Sequence, residues 1–322
     1  RLSVHLGWSC DNVRASYDEI SKSVQDEVFA GAKAFVRENK GRYDCYGYIY
    51  TGEGQDLGQF FAELAVGNGK IQKSSSNTTV TNGNDCYSLS GATYGVYSDK
   101  GCTKSVAILT TNANGNTDTV ELRAATYYVK ETKAPKGFQL DKNVYTMTVK
   151  VNETTTLKVS DKPKVTDTLV ELFKIDMEIS KATPQGNASL EGAEFVWKYY
   201  DGYYTKDNLP EKATRTWAIQ TKKREIAGKT YYITNLNDFY KVSGDDFYLD
   251  ENGAVTLPLG TISIEETKAP TGYLLKGNTL NVTDTATGTT STVEDSNYVA
   301  QVTKEFKGAK LQFGNDANEL VV

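Results

Sequence analysis

Two short segments of this 322-residue chain are near copies of each other. Glu131-Thr-Lys-Ala-Pro-Lys-Gly-Phe138 recurs as Glu266-Thr-Lys-Ala-Pro-Thr-Gly-Tyr273. Each copy follows an alternating run, Tyr127-x-Val129 in the first and Ile262-x-Ile264 in the second. A second pair recurs upstream, Leu89-Ser-Gly-Ala-Thr-Tyr94 and Leu190-Glu-Gly-Ala-Glu-Phe195. Further upstream a lysine closes a short apolar run: Lys73 after Ile71, and Lys174 after Val170 and Leu172. The spacing is the same in both copies, 89 − 73 = 16 and 190 − 174 = 16. Coinciding elements at equal spacing mean one structural plan used twice. The repeat divides the sequence into a domain at 70–164, a second at 165–322, and a preceding region at 1–69.

The repeated part reads as β-structure. Short alternating runs rich in Thr, Val and Tyr are separated by turn segments at 112–116, 250–253 and 283–288, a pattern expected of β-sandwiches. The aromatic load, 21 Tyr and 11 Phe against 2 Met, favours strands over helix bundles. Residues 1–69 read differently, as a small α+β region. Ile20, Val24, Val28 and Phe35 fall on roughly one face of a helix over Asp18–Asn39, and Gly41 stands where that helix ends. Cys45–Thr51 alternates like a strand. Asp56 is placed to cap a short helix carrying Phe60, Phe61 and Leu64. Gly67-Asn68-Gly69 reads as the break before the first β-domain.

Period 2 along a strand assigns each polar residue to a face. Glu131 is in phase with Tyr127 and Val129, and Glu266 with Ile262 and Ile264. In the last strands Asp161 shares a face with Leu157 and Val159, and Asn315 with Leu311 and Phe313. Each domain therefore turns a Lys, a Glu and an Asp or Asn towards its core. Such burial is costly unless the groups pair or neutralise. Desolvation lowers a lysine pKa and raises that of a glutamic acid. A neutral amine is a nucleophile. A protonated Glu polarises the carbonyl of a neighbouring Asp or Asn and relays protons. Held in contact, the three groups are equipped to make an amide between side chains, releasing water from Asp and ammonia from Asn. A buried salt bridge without a covalent bond is the simpler alternative.

The E-T-K-A-P-x-G-[YF] box, the upstream strand lysine and the L-x-G-A turn resemble Cna protein B-type domains of SpaA-like pilins and adhesins of Gram-positive bacteria. The resemblance covers residues from about 70 to 322. It implies two tandem immunoglobulin-like β-sandwiches, each closed by a self-formed isopeptide bond between its first and last strands. By position, Lys73 joins Asp161 with Glu131 assisting, and Lys174 joins Asn315 with Glu266 assisting. The expected role is structural, as a wall-anchored or pilus segment outside the cell. The expected partners are other pilin subunits or the cell wall, through sortase, with a host surface ligand for residues 1–69. The family's Y-P-K and LPxTG-type motifs are not among these residues, which leaves Lys158, Lys162 and Lys164 as candidate linking lysines.

Composition narrows the alternatives. The one histidine, His5, excludes HExxH and histidine-clustered metal sites, and no cofactor is expected. Net charge is −5 without a basic tract, so nucleic acid is a poor partner. No apolar run approaches 18 residues, so no membrane span is expected, and neither a signal peptide nor a C-terminal anchor is legible. Cys10, Cys45, Cys86 and Cys102 are even in number and lack CxxC spacing. That fits two disulfides, a local Cys86–Cys102 and a Cys10–Cys45 staple. The segment Arg42–Ile49 resembles the nucleophile region of NlpC/P60 peptidases, but no His follows Cys45. A thioester from Cys45 to Gln55 or Gln59 is a further option. Asp245, Asp246, Asp250 and Asn252 faintly resemble a calcium loop, and a hairpin turn is the simpler reading.

Overall fold

In a computed structural model of the protein, the described residues are helical positions Asp26, Ala30, Gly31, Ala34, Arg37 and Glu38, the strands at 43–50 and 57–64, and residues 65–166, 170–178, 181–275, 279–293 and 297–318. The six helical positions fall within the helix expected over Asp18–Asn39. The rest of that helix, with His5, Cys10, Gln55 and Asp56, lies outside the described residues. Strand β1 (Tyr43–Tyr50) agrees with the alternation read there. The short helix expected after Asp56 is instead strand β2 (Leu57–Leu64), antiparallel to β1 from Tyr43↔Leu64 to Tyr50↔Leu57. A short isolated helix is marginal in water, whereas an adjacent aromatic-rich strand offers a full ladder of partners.

The first sandwich contains β3 (Val66–Ser75), β4 (Thr93–Tyr97), β5 (Ser105–Thr110), β6 (Val120–Arg123), β7 (Ala125–Lys133), β8 (Val144–Val149) and β9 (Thr154–Asp161). They form sheets of order β6-β3-β9 and β5-β4-β7-β8. Gly67-Asn68-Gly69, read above as a break, lies inside β3. A Cβ at Gly67 would meet the Lys150 carbonyl oxygen at 2.0 Å, and one at Gly69 would meet Met147 at 2.8 Å. These glycines permit close approach within the sandwich and do not make a turn. The core is filled by Ile71, Tyr94, Val96, Val129, Met147 and Val159, among others.

The second sandwich contains β10 (Val165–Thr166), β11 (Glu171–Asp176), β12 (Glu194–Tyr200), β13 (Arg215–Gln220), β14 (Lys222–Ile226), β15 (Lys229–Thr234), β16 (Lys241–Gly244), β17 (Tyr248–Leu249), β18 (Val255–Pro258), β19 (Gly260–Lys268), β20 (Thr279–Asp284), β21 (Thr290–Val293), β22 (Asn297–Val302) and β23 (Ala309–Asn315). Its two main sheets run β14-β15-β11-β23-β20-β21 and β16-β13-β12-β19-β22. Phe195, Trp197, Trp217, Ile264, Leu311 and Phe313 lie in its core. In each sandwich the strand that carries the lysine and the last strand are adjacent and parallel, β3 with β9 and β11 with β23. The second core also takes in Val80, Cys86, Tyr87 and Phe138 from the first sandwich. At this junction the Tyr87 hydroxyl donates to the Lys164 carbonyl (2.6 Å) and accepts from the Leu259 amide (2.9 Å). Asn84 donates to the Tyr199 hydroxyl and the Leu259 carbonyl.

Candidate functional site

The repeat elements fold alike in both sandwiches. The L-x-G-A turns are pinned by a threonine: Thr111 Oγ1 accepts from the Ala92 amide and donates to the Leu89 carbonyl. Thr221 does the same for Ala193 and Leu190. The strand after each turn pairs with the strand carrying the glutamate, Tyr94 opposite Glu131 and Phe195 opposite Glu266. Both pairings shift register just before that pair, a bulge that re-aims the following side chains. The box then folds back, so that Phe138 bridges Pro163 and Tyr273 bridges Ala317, each two residues beyond the Asp or Asn of the last strand.

The parallel register brings the third group in. Lys73 lies opposite Val159 and Ser75 opposite Asp161. Lys174 lies opposite Phe313 and Asp176 opposite Asn315. In both sandwiches the acceptor is therefore two positions beyond the residue facing the lysine, on the same face. In the first, Lys73 Nζ is 2.8 Å from Glu131 Oε1 and in contact with Asp161 Oδ2, and all three side chains are excluded from solvent. Lys73 also donates to the Tyr94 hydroxyl at 2.7 Å. The other Glu131 oxygen accepts from the Asp141 amide at 2.8 Å. In the second, Lys174 Nζ is 3.1 Å from Glu266 Oε2 and donates to the Phe313 carbonyl at 3.2 Å. Asn315 Nδ2 donates to the Leu274 carbonyl at 2.7 Å, and the Asn315 side chain is also hydrogen-bonded to Glu266.

Desolvation is the largest cause of the shifts at Asp161, Lys174 and Glu266. Burial pushes Asp161 up to about 6, against the opposing pull of Lys73, and Glu131 adds to the rise. Burial pushes Lys174 down to about 8, with Glu266 opposing. Glu266 is raised by burial, with Lys174 opposing. In the second sandwich these shifts favour the neutral amine and the protonated acid, the forms that amide formation needs.

The other candidates fall elsewhere. Cys86 and Cys102 are free thiols, which corrects the expected local disulfide. Cys86 is buried at the junction beside Tyr203, and burial raises its thiol pKa. Cys102 is half-buried in the Asp99–Thr103 turn, with positive φ. Cys10 lies outside the described residues, and the Cys45 side chain is not described. Two carboxylates of the calcium-like stretch are taken by backbone amides, Asp250 by Asn252 and Ala254 and Asp245 by Thr216, as in hairpin turns. Lys158 is exposed, Lys162 pairs with Glu251 at 2.6 Å, and Lys164 is half-buried at the junction. No helix of the described residues is long and apolar enough to cross a membrane. Sequence reasoning missed the turn threonines and the Tyr94 hydroxyl. Thr111 and Thr221 carry no pattern signal, and Tyr94 differs from Phe195 by one atom.

Tandem β-sandwiches with this strand arrangement are of the prealbumin-like class. The chain belongs to the SpaA prealbumin-like fold domain family, whose model matches residues 70–163 and 175–298. It is 30% identical over 184 residues to the trypsin-resistant surface T6 protein of Streptococcus pyogenes, covering 51% of this chain and 34% of that protein. The chain thus spans about a third of the length of that relative. Among solved structures it is similar to the Bacillus anthracis TIE protein, at 18% identity and TM-score 0.41, over 85% of this chain and 41% of that one. It is also similar to a C-terminal fragment of the pilus adhesin SpaC from Lactobacillus rhamnosus GG, at 14% identity and TM-score 0.39, over 78% and 98%. The Bacillus cereus major pilin BcpA matches at 14% identity and TM-score 0.28, over 78% and 99%.

Proposed function

We propose that this protein is a structural, non-enzymatic segment of an extracellular pilus or wall-attached adhesin, with each sandwich closed by a self-formed side-chain amide. The domains are taken as 70–164 and 165–322, after an N-terminal region at 1–69. Lys73 joins Asp161, losing water, and Lys174 joins Asn315, losing ammonia. Glu131 and Glu266 receive the amine proton and pass it to the leaving group. The reading rests on one observation: both lysines are buried against a glutamate, with the acceptor carried at the same parallel register in each copy. Linking of such segments to one another or to the wall through sortase accompanies the reading. The test is intact mass after reduction. Two bonds lower it by about 18 Da plus about 17 Da relative to the sequence mass, and an unchanged mass overturns the reading.

A further inference from the structure

The two triads differ by one hydroxyl. Tyr94 and Phe195 hold the same place in the repeat, each fully buried and each opposite the glutamate. Tyr94 turns its oxygen to Lys73 Nζ at 2.7 Å. Phe195 has none to offer and packs edge-on against Phe313, while Lys174 donates to the Phe313 carbonyl instead. The triads also differ in charge. With all groups ionised the first holds one cation and two carboxylates, the second one cation, one carboxylate and a neutral amide. The first site therefore has one more anionic acceptor to satisfy away from water.

A lysine ammonium has three protons to place. In the first sandwich they meet three oxygens, from Glu131, Asp161 and Tyr94. That fixes rotation about the Cε–Nζ bond. The Tyr94 hydroxyl is in turn hydrogen-bonded to Glu131, so one oxygen accepts from the amine and donates to the acid that relays its proton. Lys73 from β3, Glu131 from β7, Asp161 from β9 and Asp141 beyond β7 are the charged groups around it.

We infer that Tyr94 is a positioning residue for the Lys73–Asp161 condensation, and that it serves an acid acceptor specifically. The inference rests on the amide reading above. In the step two Nζ–H bonds and one Cγ–Oδ bond of Asp161 break, and the Nζ–Cγ bond forms. One Asp161 oxygen leaves as water with protons carried by Glu131, so ammonium plus carboxylate gives amide plus water. Tyr94 ends as it began, having held the amine so that its lone pair meets the Asp161 carbon.

The experiment is cell-free synthesis of the full-length protein, quenched at intervals, with each bond followed by intact mass and proteolytic mapping. The variants are Tyr94→Phe, Asp161→Asn and the two combined. Phe is tolerated at this place in the sister sandwich, so Tyr94→Phe is expected to fold. It should slow the Lys73–Asp161 bond by about 10- to 100-fold, the value of a hydrogen bond to a charged group. The Lys174–Asn315 bond should keep its rate. With Asn at 161, adding Tyr94→Phe should change the rate by less than about twofold. A merely structural tyrosine would slow both acceptors alike, and that result overturns the inference, as does an unaltered rate in Tyr94→Phe. A wild-type protein that never forms the first bond overturns this inference together with the reading beneath it. A formed bond that is indifferent to Tyr94 overturns only the role given to Tyr94.

Discussion

Removing the closure of the second sandwich is the most informative perturbation. The proposed bond spans 315 − 174 = 141 residue steps. Treated as a cross-link on the unfolded polypeptide, a loop of that length stabilises by about 5 kcal/mol. For a domain of this size each kcal/mol moves Tm by roughly 2–4 °C, so losing the bond lowers the calorimetric transition of this sandwich by about 10–20 °C. Two variants separate the covalent contribution from the electrostatic one. Glu266→Gln removes the proton relay but leaves Lys174 buried beside an amide, and an unpaired buried charge adds about 3–5 kcal/mol of its own. Lys174→Met keeps an unbranched side chain and removes the charge. Both should regain the mass of their sequences at the second site, and both should show the loss assigned to the bond. If Glu266→Gln still weighs about 17 Da less there, the glutamate does not relay protons. If Lys174→Met keeps the wild-type transition, the closure is not covalent.

Three further outcomes are expected. The rate of the second bond should be bell-shaped in pH, because Lys174 and Glu266 must share one proton. The pair loses it as pH rises through the lowered lysine value of about 8 and gains a second as pH falls through the raised value of Glu266, so the alkaline limb lies near 8 and the acid limb above 4.5. An alkaline limb near 10.5, the value of a free lysine, would show that burial does not tune the amine. Gly115→Ala should destabilise the first sandwich by more than about 1 kcal/mol in urea titration, because a Cβ there, at φ +76°, meets the Lys73 carbonyl oxygen at 2.2 Å. Tyr87→Phe strips a partner from the Lys164 carbonyl and from the buried Leu259 amide. It should cost about 1–3 kcal/mol in the same titration, and no loss would mean that water replaces the hydroxyl.

The triads were legible because two independent signals, repeat spacing and strand period, converge on the same residues. Lys73, Glu131 and Asp161 are far apart in sequence, yet each sits in phase with core residues of its own strand, and phase survives folding. The region before them was less legible. Leu57–Leu64 carries enough apolar residues for either a helix or a strand, and the β1 partner decides between them. Gly67 and Gly69 look like a turn until Lys150 and Met147 are seen against them. An even cysteine count suggested pairing, but Cys86 is held at the junction by neighbours from the other sandwich. Nothing in strand periodicity reports contacts between sandwiches, so the junction was invisible as well.

That junction bears on how the protein is made. Val80, Cys86, Tyr87 and Phe138 complete the second core, yet they are synthesised before it. The second sandwich closes only when β23 has emerged, 315 − 161 = 154 residues after the end of β9. At about 5–20 residues per second this leaves an apolar face bare on the nascent polypeptide for roughly 8–30 s. The same dependence limits recombination: a foreign neighbour grafted after Asp161 would inherit that face without the pocket that covers it.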